Sequence, residues 1–466
     1  MLGVAYLMVV LDVSIVNVAL PSIQQDLHFS TENLQWVVSG YALTFGGFLL
    51  LGGRAGDLLG RRRLFMVGLA GFSIVSLLCG LSVSSGMLIA MRLLQGAAGA
   101  VLSPSVYSIT TVTFAEGSER NKALGILGAI AGSGAAIGVL LGGVLTEYVG
   151  WEWIFFVNVP IGLATLLLVP RYVRESRAEG LARHFDAAGA TTVTASLVLF
   201  VFGLTQSTSH GWSSGQVVGL LVASAVLMAA FCAIESRSRS PLVPLAIFRR
   251  RTLFGANTIG FGLGTSVFGA FFLLSLYMQE VLGFSALETG VGYLAIALSA
   301  VAGSGVSQAL VTRAGVKPVL AGGLVLMAGG LVYLAGVSAH GSYFGDLFTG
   351  FLLLGFGLGF SFVPVSIAAL GGVSGEEAGL ASGLINTSQQ IGGALGLAIL
   401  VTVSTTRTNH LLESGTARPE ALVNGFGLAF WVAVGVAAAA LAATLALLRR
   451  QDLRVLRAEP AGAASG

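Results

Sequence analysis

Along the chain, apolar stretches alternate with short breaks rich in charge, glycine or proline, and this alternation runs from one end to the other. A helix needs about 20 mostly apolar residues to cross the hydrocarbon of a bilayer. Runs of that kind fall at 2–23, 35–56, 64–83, 87–112, 123–146, 153–172, 187–206, 215–235, 253–281, 289–310, 318–337, 343–371, 379–403 and 424–448, which predicts fourteen spans. Composition agrees: 55% of the residues are hydrophobic and only 10% charged, far from the balance of a soluble domain. The first run has no basic residue before Val10 and continues past Asp12 to Ile23. It therefore reads as a membrane helix and not as a cleaved leader, and the natural start of the chain is expected further upstream.

Charge enters the picture through its placement, because a formal net charge of +3 gives no reason to expect nucleic acid as a partner. With the N-terminus inside, 21 Lys and Arg fall in internal segments, Arg407 and Arg418 fall outside, and Arg92 lies within a span. That asymmetry predicts both termini on the cytoplasmic side. Trp151 and Trp153 then fall at the outer interface, where amphipathic rings prefer to sit. The usage of 22 Arg against 2 Lys, with abundant Ala and Gly, points to a GC-rich bacterial genome. Cys79 and Cys232 both sit in apolar runs, so neither a disulfide framework nor a thiolate metal site is expected.

The two ends of the chain resemble each other. GRAGDLLGRRRLF (Gly53 to Phe65) follows the second span and GVSQALVTRAGVKPVL (Gly305 to Leu320) the tenth, and aligning Gly60 with Gly315 places a basic turn in both. Gly99 precedes Pro104 as Gly359 precedes Pro364, and Gly138 follows Gly125 as Gly396 follows Gly383. Two related six-helix halves follow, 1–185 and 253–450, with an inserted hairpin and cytoplasmic linker at 186–252 and a cytoplasmic tail at 451–466. Parallel six-helix repeats are the layout of major facilitator transporters.

Four sets of residues carry candidate chemistry. Asp12 sits about 16 Å along its helix from the inner end, near mid-bilayer. Val16 and Ala19 share its face, whereas Ser14 and Asn17 project more than about 100° away, so the first helix should be enclosed by protein and cavity. Charge on a buried carboxyl is costly, which equips it to bind and release a proton; the plainer reading is a hydrogen bond to a neighbouring helix. Arg92 shares a face with Gln95, Gly96 and Gly99. A guanidinium there costs about 2.5–3.5 kcal/mol, so it either faces protein and a nearby carboxylate or snorkels to the surface. The turn containing Gly53, Asp57, Gly60, Arg61 and Arg62 can hold a charge network between helix ends, or be a plain basic loop. Gly134, Gly138, Gly142 and the adjacent Gly143 line the fifth span and allow close helix packing. Asn17, Gln95, Asn386, Gln389 and Gln390 are candidates for a polar wall in an otherwise apolar cavity. Glu147, Glu235, Glu280, Glu288 and Asp346 lie near span ends and read as solvated rim.

LDVSIVNVALP, GRAGDLLGRRR, RLLQGAAGA, GSGAAIGVLLGG, GWEWIFFVNVPIG and, in the second half, GLASGLINTSQQIGGALG resemble the successive signatures of the fourteen-helix drug:proton antiporter branch of the major facilitator superfamily. The resemblance covers essentially the whole chain. It implies an all-α polytopic fold and efflux of small amphipathic organic compounds across the cytoplasmic membrane. It also implies energy from the proton gradient, no cofactor, no metal and a working monomer. By the same resemblance Asp12 and Arg92 couple protons, the Gly53–Arg62 turn is a conformational latch, and the fifth-span glycines belong to antiport. The chain departs from the family at Leu58, where a basic residue is usual, and at Gly138 and Val139, where Gly-Pro is usual. An uptake symporter on the same fold is the main rival. A membrane enzyme is a poor fit, because no span carries a metal-binding pair or a nucleophile with its base.

Overall fold

The structure, a computed structural model, describes residues 1–114, 118–176, 186–238, 241, 250–371 and 378–448; the tail 451–466 and the Asp57 side chain lie outside the described residues. Sixteen α-helices make up the described chain: α1 Leu2–Asp26, α2 Thr31–Leu34, α3 Trp36–Leu59, α4 Arg61–Gly80, α5 Ser85–Thr113, α6 Ser118–Tyr148, α7 Trp153–Phe156 and α8 Asn158–Tyr172, then α9 Ala187–His210, α10 Gly215–Arg237, α11 Arg251–Leu276, α12 Ala286–Ala314, α13 Val316–Leu334, α14 Phe348–Leu370, α15 Ala378–Glu413 and α16 Arg418–Leu447. Among the described residues thirteen helical stretches are long and apolar enough to cross a membrane, and α6 adds a shorter apolar stretch at Ala136–Tyr148. The protein is a multi-pass membrane protein.

The helix boundaries follow local chemistry. Ser84 accepts the Met87 amide at the start of α5, and Ser285 and Glu288 form a reciprocal capping box at the start of α12. Four predicted spans differ from the observed elements. The sixth is broken at Val157 into α7 and α8, the ninth ends in a π-helical turn at Tyr277–Val281, the twelfth opens on one at Tyr343–Leu347, and the thirteenth extends to Glu413. In the last case a polar stretch ends the hydropathy signal, but no breaker ends the helix before Gly415, at φ +84°.

Turn glycines and helix contacts recur between the two ends of the chain. Gly60 and Gly315 are each the single residue between two helices, at φ +116° and +93°, and Gly150 and Gly415 end the next equivalent turns at +123° and +84°. In the first half α5 packs on α3 and α4, and α1 on α6; in the second half α14 packs on α12 and α13, and α11 on α15. The halves meet through α6 against α12 and α3 against α15, two seams that exchange under the repeat. The α9–α10 hairpin lies beside the α3–α15 seam: α9 contacts both helices, Gln35 donates to Thr205 Oγ1 at 3.0 Å, and Leu197, Val201 and Leu204 join an apolar cluster with Leu43 and Ala394. Ser196 and Ser224 hold the hairpin together by donating reciprocally to each other's carbonyls at 2.7 and 2.8 Å.

Candidate proton-coupling site

Asp12 and Arg92 form a buried ion pair. Arg92 Nη1 donates to Asp12 Oδ2 at 2.6 Å, with the two side chains 1% and 0% exposed. Snorkelling is therefore excluded for Arg92: its Nε donates to the Val37 carbonyl at 2.7 Å, and its guanidinium carbon lies 4.5 Å from the centroid of the Tyr41 ring and 5.6 Å from that of Phe155. An ion pair removed from water is tolerated when its remaining hydrogen-bonding capacity is met by other groups, and here Arg92 Nε and Nη1 and both Asp12 oxygens have partners. Gln95 accepts from Arg92 Nη1 at 2.7 Å and donates to Asp12 Oδ1 at 2.8 Å and to Ser76 Oγ at 3.2 Å. Asn158 donates to the same Asp12 oxygen at 3.2 Å and to Ser76 at 3.0 Å. Ser76 in turn donates to the Phe155 carbonyl at 2.9 Å. Six elements, α1, α3, α4, α5, α7 and α8, thus converge on one carboxylate.

The predicted site residues separate in space. Gln95, expected on the cavity wall, is fully buried and belongs to the Asp12 cluster. Asn17 is 8% exposed and turns its amide onto the Val13 carbonyl of its own helix. Its backbone carbonyl is freed because Pro21, four residues on, has no amide hydrogen, and Ser275 of α11 donates to it at 2.6 Å. Gln279, in the π-helical turn that follows α11, donates to the next carbonyl, Val18, at 2.9 Å. Asn386 is exposed and bonds its own helix at Ser382, while Gln389 approaches Gly260 of α11 and Gln390 approaches Gly46 of α3. The α15 polar residues therefore do not meet Gln95 or Asp12 in one cluster.

The glycines of α6 serve two neighbours. A Cβ on Gly138 would strike Ser14, and one on Gly142 would lie 2.7 Å from the Ile15 carbonyl, both on α1; Gly134 faces Val10 and Leu7. Gly143 instead faces α12, where a Cβ would lie 2.8 Å from the Ala286 carbonyl. At the turn after α3 the tight approach is at Gly52, whose Cβ would strike the Ala100 carbonyl; Gly53 has ordinary clearance, 3.5 Å from Pro104. Arg62 pairs with Glu175 at 3.8 Å, and Glu175 also accepts the backbone amides of Arg62 and Arg63 at 3.1 Å each, capping α4. Asp57, the acid expected in this network, has its side chain outside the described residues. At the other end of the bundle, Trp151 is buried and donates to Asp26 at 3.0 Å, while Trp153 is the exposed one of the pair. Of the acids read as solvated rim, Glu280 pairs with Arg418 at 3.5 Å, Asp346 accepts the amides of Ser338 and Ser342, and Glu235 is buried at the end of α10 instead of solvated.

A family model described as Major Facilitator Superfamily matches residues 2–397. The chain belongs to the major facilitator superfamily. Among superfamily relatives, it is 38% identical to the puromycin resistance protein pur8 of Streptomyces alboniger, over 99% of this chain and 92% of that protein. It is 39% identical to the cephamycin export protein CmcT of Amycolatopsis lactamdurans, over 93% of this chain and 88% of the relative. The fold matches the crystal structure of a bacterial homolog to the human lysosomal transporter Spinster, inward-facing and unoccupied, with a TM-score of 0.68 at 16% identity, covering 99% of this chain and 98% of that one.

Tyr41, Ser76, Cys79 and Asn158 were not singled out from the sequence. Asn158 carried a usable signal, since it is an amide inside the apolar run WIFFVNVPIG, the same anomaly that marks Asp12. Ser76 and Cys79 are small enough to pass for ordinary span residues.

Proposed function

We propose that the protein exports drugs or antibiotics in exchange for protons across the cytoplasmic membrane, with Asp12 as the proton-binding group and Arg92 as its charge partner. The reading rests on the buried Asp12–Arg92 pair at 2.6 Å, placed on a helix that also touches the other half of the bundle. Protonating Asp12 removes the charge that holds Arg92 and loosens the joint between α1 and α5. Five residues further along the same helix, the Asn17 carbonyl bonds Ser275 of α11, so a shift of α1 reaches the seam between the halves. Relatives named for antibiotic resistance and export favour outward transport of small organic compounds over uptake.

The distribution of Lys and Arg supports a cytoplasmic location for the Arg62 end and for both termini. On that reading the contacts Ser275–Asn17, Gln279–Val18 and Gly143–Ala286 seal the outer end. The halves 1–185 and 253–450 act as the rocking bodies, with 186–252 as an accessory hairpin, and a single chain forms the working unit. Asn17, Asn386, Gln389 and Gln390 contribute the polar part of the substrate cavity, and the Arg62 turn acts as the inner latch.

Asp12→Asn is expected to abolish pH-gradient-driven dye export in everted vesicles at normal membrane abundance. Export at the wild-type rate by that variant would remove Asp12 from the coupling step.

A further inference from the structure

Asp12 is surrounded by donors. Arg92 Nη1, Gln95 Nε2 and Asn158 Nδ2 all give hydrogens to its two oxygens, which suits a carboxylate and leaves a protonated carboxyl with no partner for its own hydrogen. Gln95 Oε1 takes Arg92 and Cys79, and Ser76 Oγ takes Gln95 and Asn158, while the Tyr41 hydroxyl on α3, buried and without a partner, makes no hydrogen bond to Asp12. One acceptor among the residues bonded to Asp12 is both buried and unpartnered, the carbonyl oxygen of Asn158 itself. A buried amide oxygen left unbonded costs about 1–3 kcal/mol, so it calls for an explanation.

We propose that Asn158 is the proton-state partner of Asp12: its amide donates to the carboxylate and, after protonation, turns to accept the carboxyl hydrogen. A half-turn about the Cβ–Cγ bond exchanges Nδ2 and Oδ1, placing the carbonyl where it accepts from Asp12 and from the Ser76 hydroxyl, which leaves Phe155. In the step itself an O–H bond forms on Asp12 Oδ1 with a proton from hydronium on the aqueous side, and the carboxylate loses its charge. Both settings of the amide satisfy one end and leave the other unbonded; the protonated setting also gives up the Ser76–Phe155 bond, so the carboxylate state is the better bonded of the two. Asn158 is the first residue of α8, directly after the break at Val157, and a rotation there bears on how α8 sits against α1 and α4. The titratable groups facing Asp12 from the surrounding helices are Arg92 on α5, Tyr41 on α3 and Cys79 on α4.

This inference rests on Asp12 being the proton-binding group, and the test separates the two ideas. Infrared difference spectra of the purified full-length protein, recorded between low and high pH, report the carboxyl C=O stretch of protonated Asp12, assigned by its loss in Asp12→Asn. Wild type is expected to show the band of a hydrogen-bonded carboxyl. Asn158→Leu should move it to the higher frequency of a carboxyl that donates to nothing, and should displace the midpoint of the transport pH profile by at least about one unit, tenfold in proton affinity. Asn158→Ser, which keeps a donor and an acceptor, should retain the bonded band, as should Ser76→Ala; Asn158→Ala replaces the Leu variant if that one does not reach the membrane. An unchanged band and pH profile in Asn158→Leu or Asn158→Ala would overturn the role of Asn158. A pH-dependent band that persists in Asp12→Asn would instead overturn the assignment of the proton to Asp12.

Discussion

A guanidinium that is 1% exposed survives in the bundle because every group around it is a matched partner. Arg92 meets the Asp12 carboxylate, the Val37 carbonyl, the Gln95 amide oxygen and the Tyr41 ring face. Removing one member of such a pair strands a buried charge, which typically costs about 3–5 kcal/mol. Arg92→Ala is accordingly expected to lower the melting temperature in detergent strongly. Adding Asp12→Asn to it should cost less than the two single changes summed, because the stranded carboxylate is gone. Strict additivity in the melts would mean that the two side chains do not depend on each other. At this scale the sequence was informative about which residues matter and silent about how they meet. Asp12, Arg92 and Gln95 stand out as polar groups in apolar runs, whereas Asn158 lies 146 residues from Asp12 and no spacing rule connects them.

Among the elements, α1 carries the most consequence, since it holds Asp12, the proposed proton site, and also bonds the other half of the bundle at Asn17. Pro21 removes the amide that would have bonded the Asn17 carbonyl, and α11 fills the gap with Ser275, backed by Gln279. Each such bond contributes about 1 kcal/mol net, so Ser275→Ala with Gln279→Ala should shift the closed-to-open ratio of the outer end by roughly 5–30-fold. The shift is measurable as faster labelling of Asn17→Cys by an impermeant maleimide from outside, in a background lacking Cys232, because the Asn17 backbone carbonyl is kept in that variant. Unchanged labelling would show that these two bonds do not hold the seam. The Pro is plain in LDVSIVNVALP, but the donor that answers it sits on a helix 258 residues away and is visible only in three dimensions.

For the whole molecule, closure of one end is set by how near two backbones can come. Gly143 of α6 meets Ala286 and Leu287 of α12 across the seam, and Gly290 returns the approach, since a Cβ there would lie 2.5 Å from the Val139 carbonyl. A large side chain at Gly143 pushes against backbone, which cannot yield as a flexible side chain would. Gly143→Leu should therefore cut transport at least about tenfold by keeping the outer end from closing. Normal membrane abundance and preserved substrate binding from outside would accompany that loss, and transport at the wild-type rate would show that the seam need not close at this point. The glycine ladder was legible as a packing surface, but its division between α1 and α12 was not, since neighbouring positions on one helix serve different partners.

By itself the sequence determined the number of spans and marked Asp12 and Arg92 as charged residues inside apolar runs; the side on which each loop lies and the twofold repeat are expectations drawn from it. These are local consequences of the cost of placing charge or unbonded backbone in hydrocarbon, and each run of residues bears that cost alone. The tertiary structure decided which donors surround Asp12, that Glu175 caps α4 beside the Arg62 turn, that Trp151 is buried on Asp26, and that the hairpin lies along the α3–α15 seam. Those outcomes depend on the rotation and depth at which one helix meets another, which packing between distant segments sets and no single run encodes.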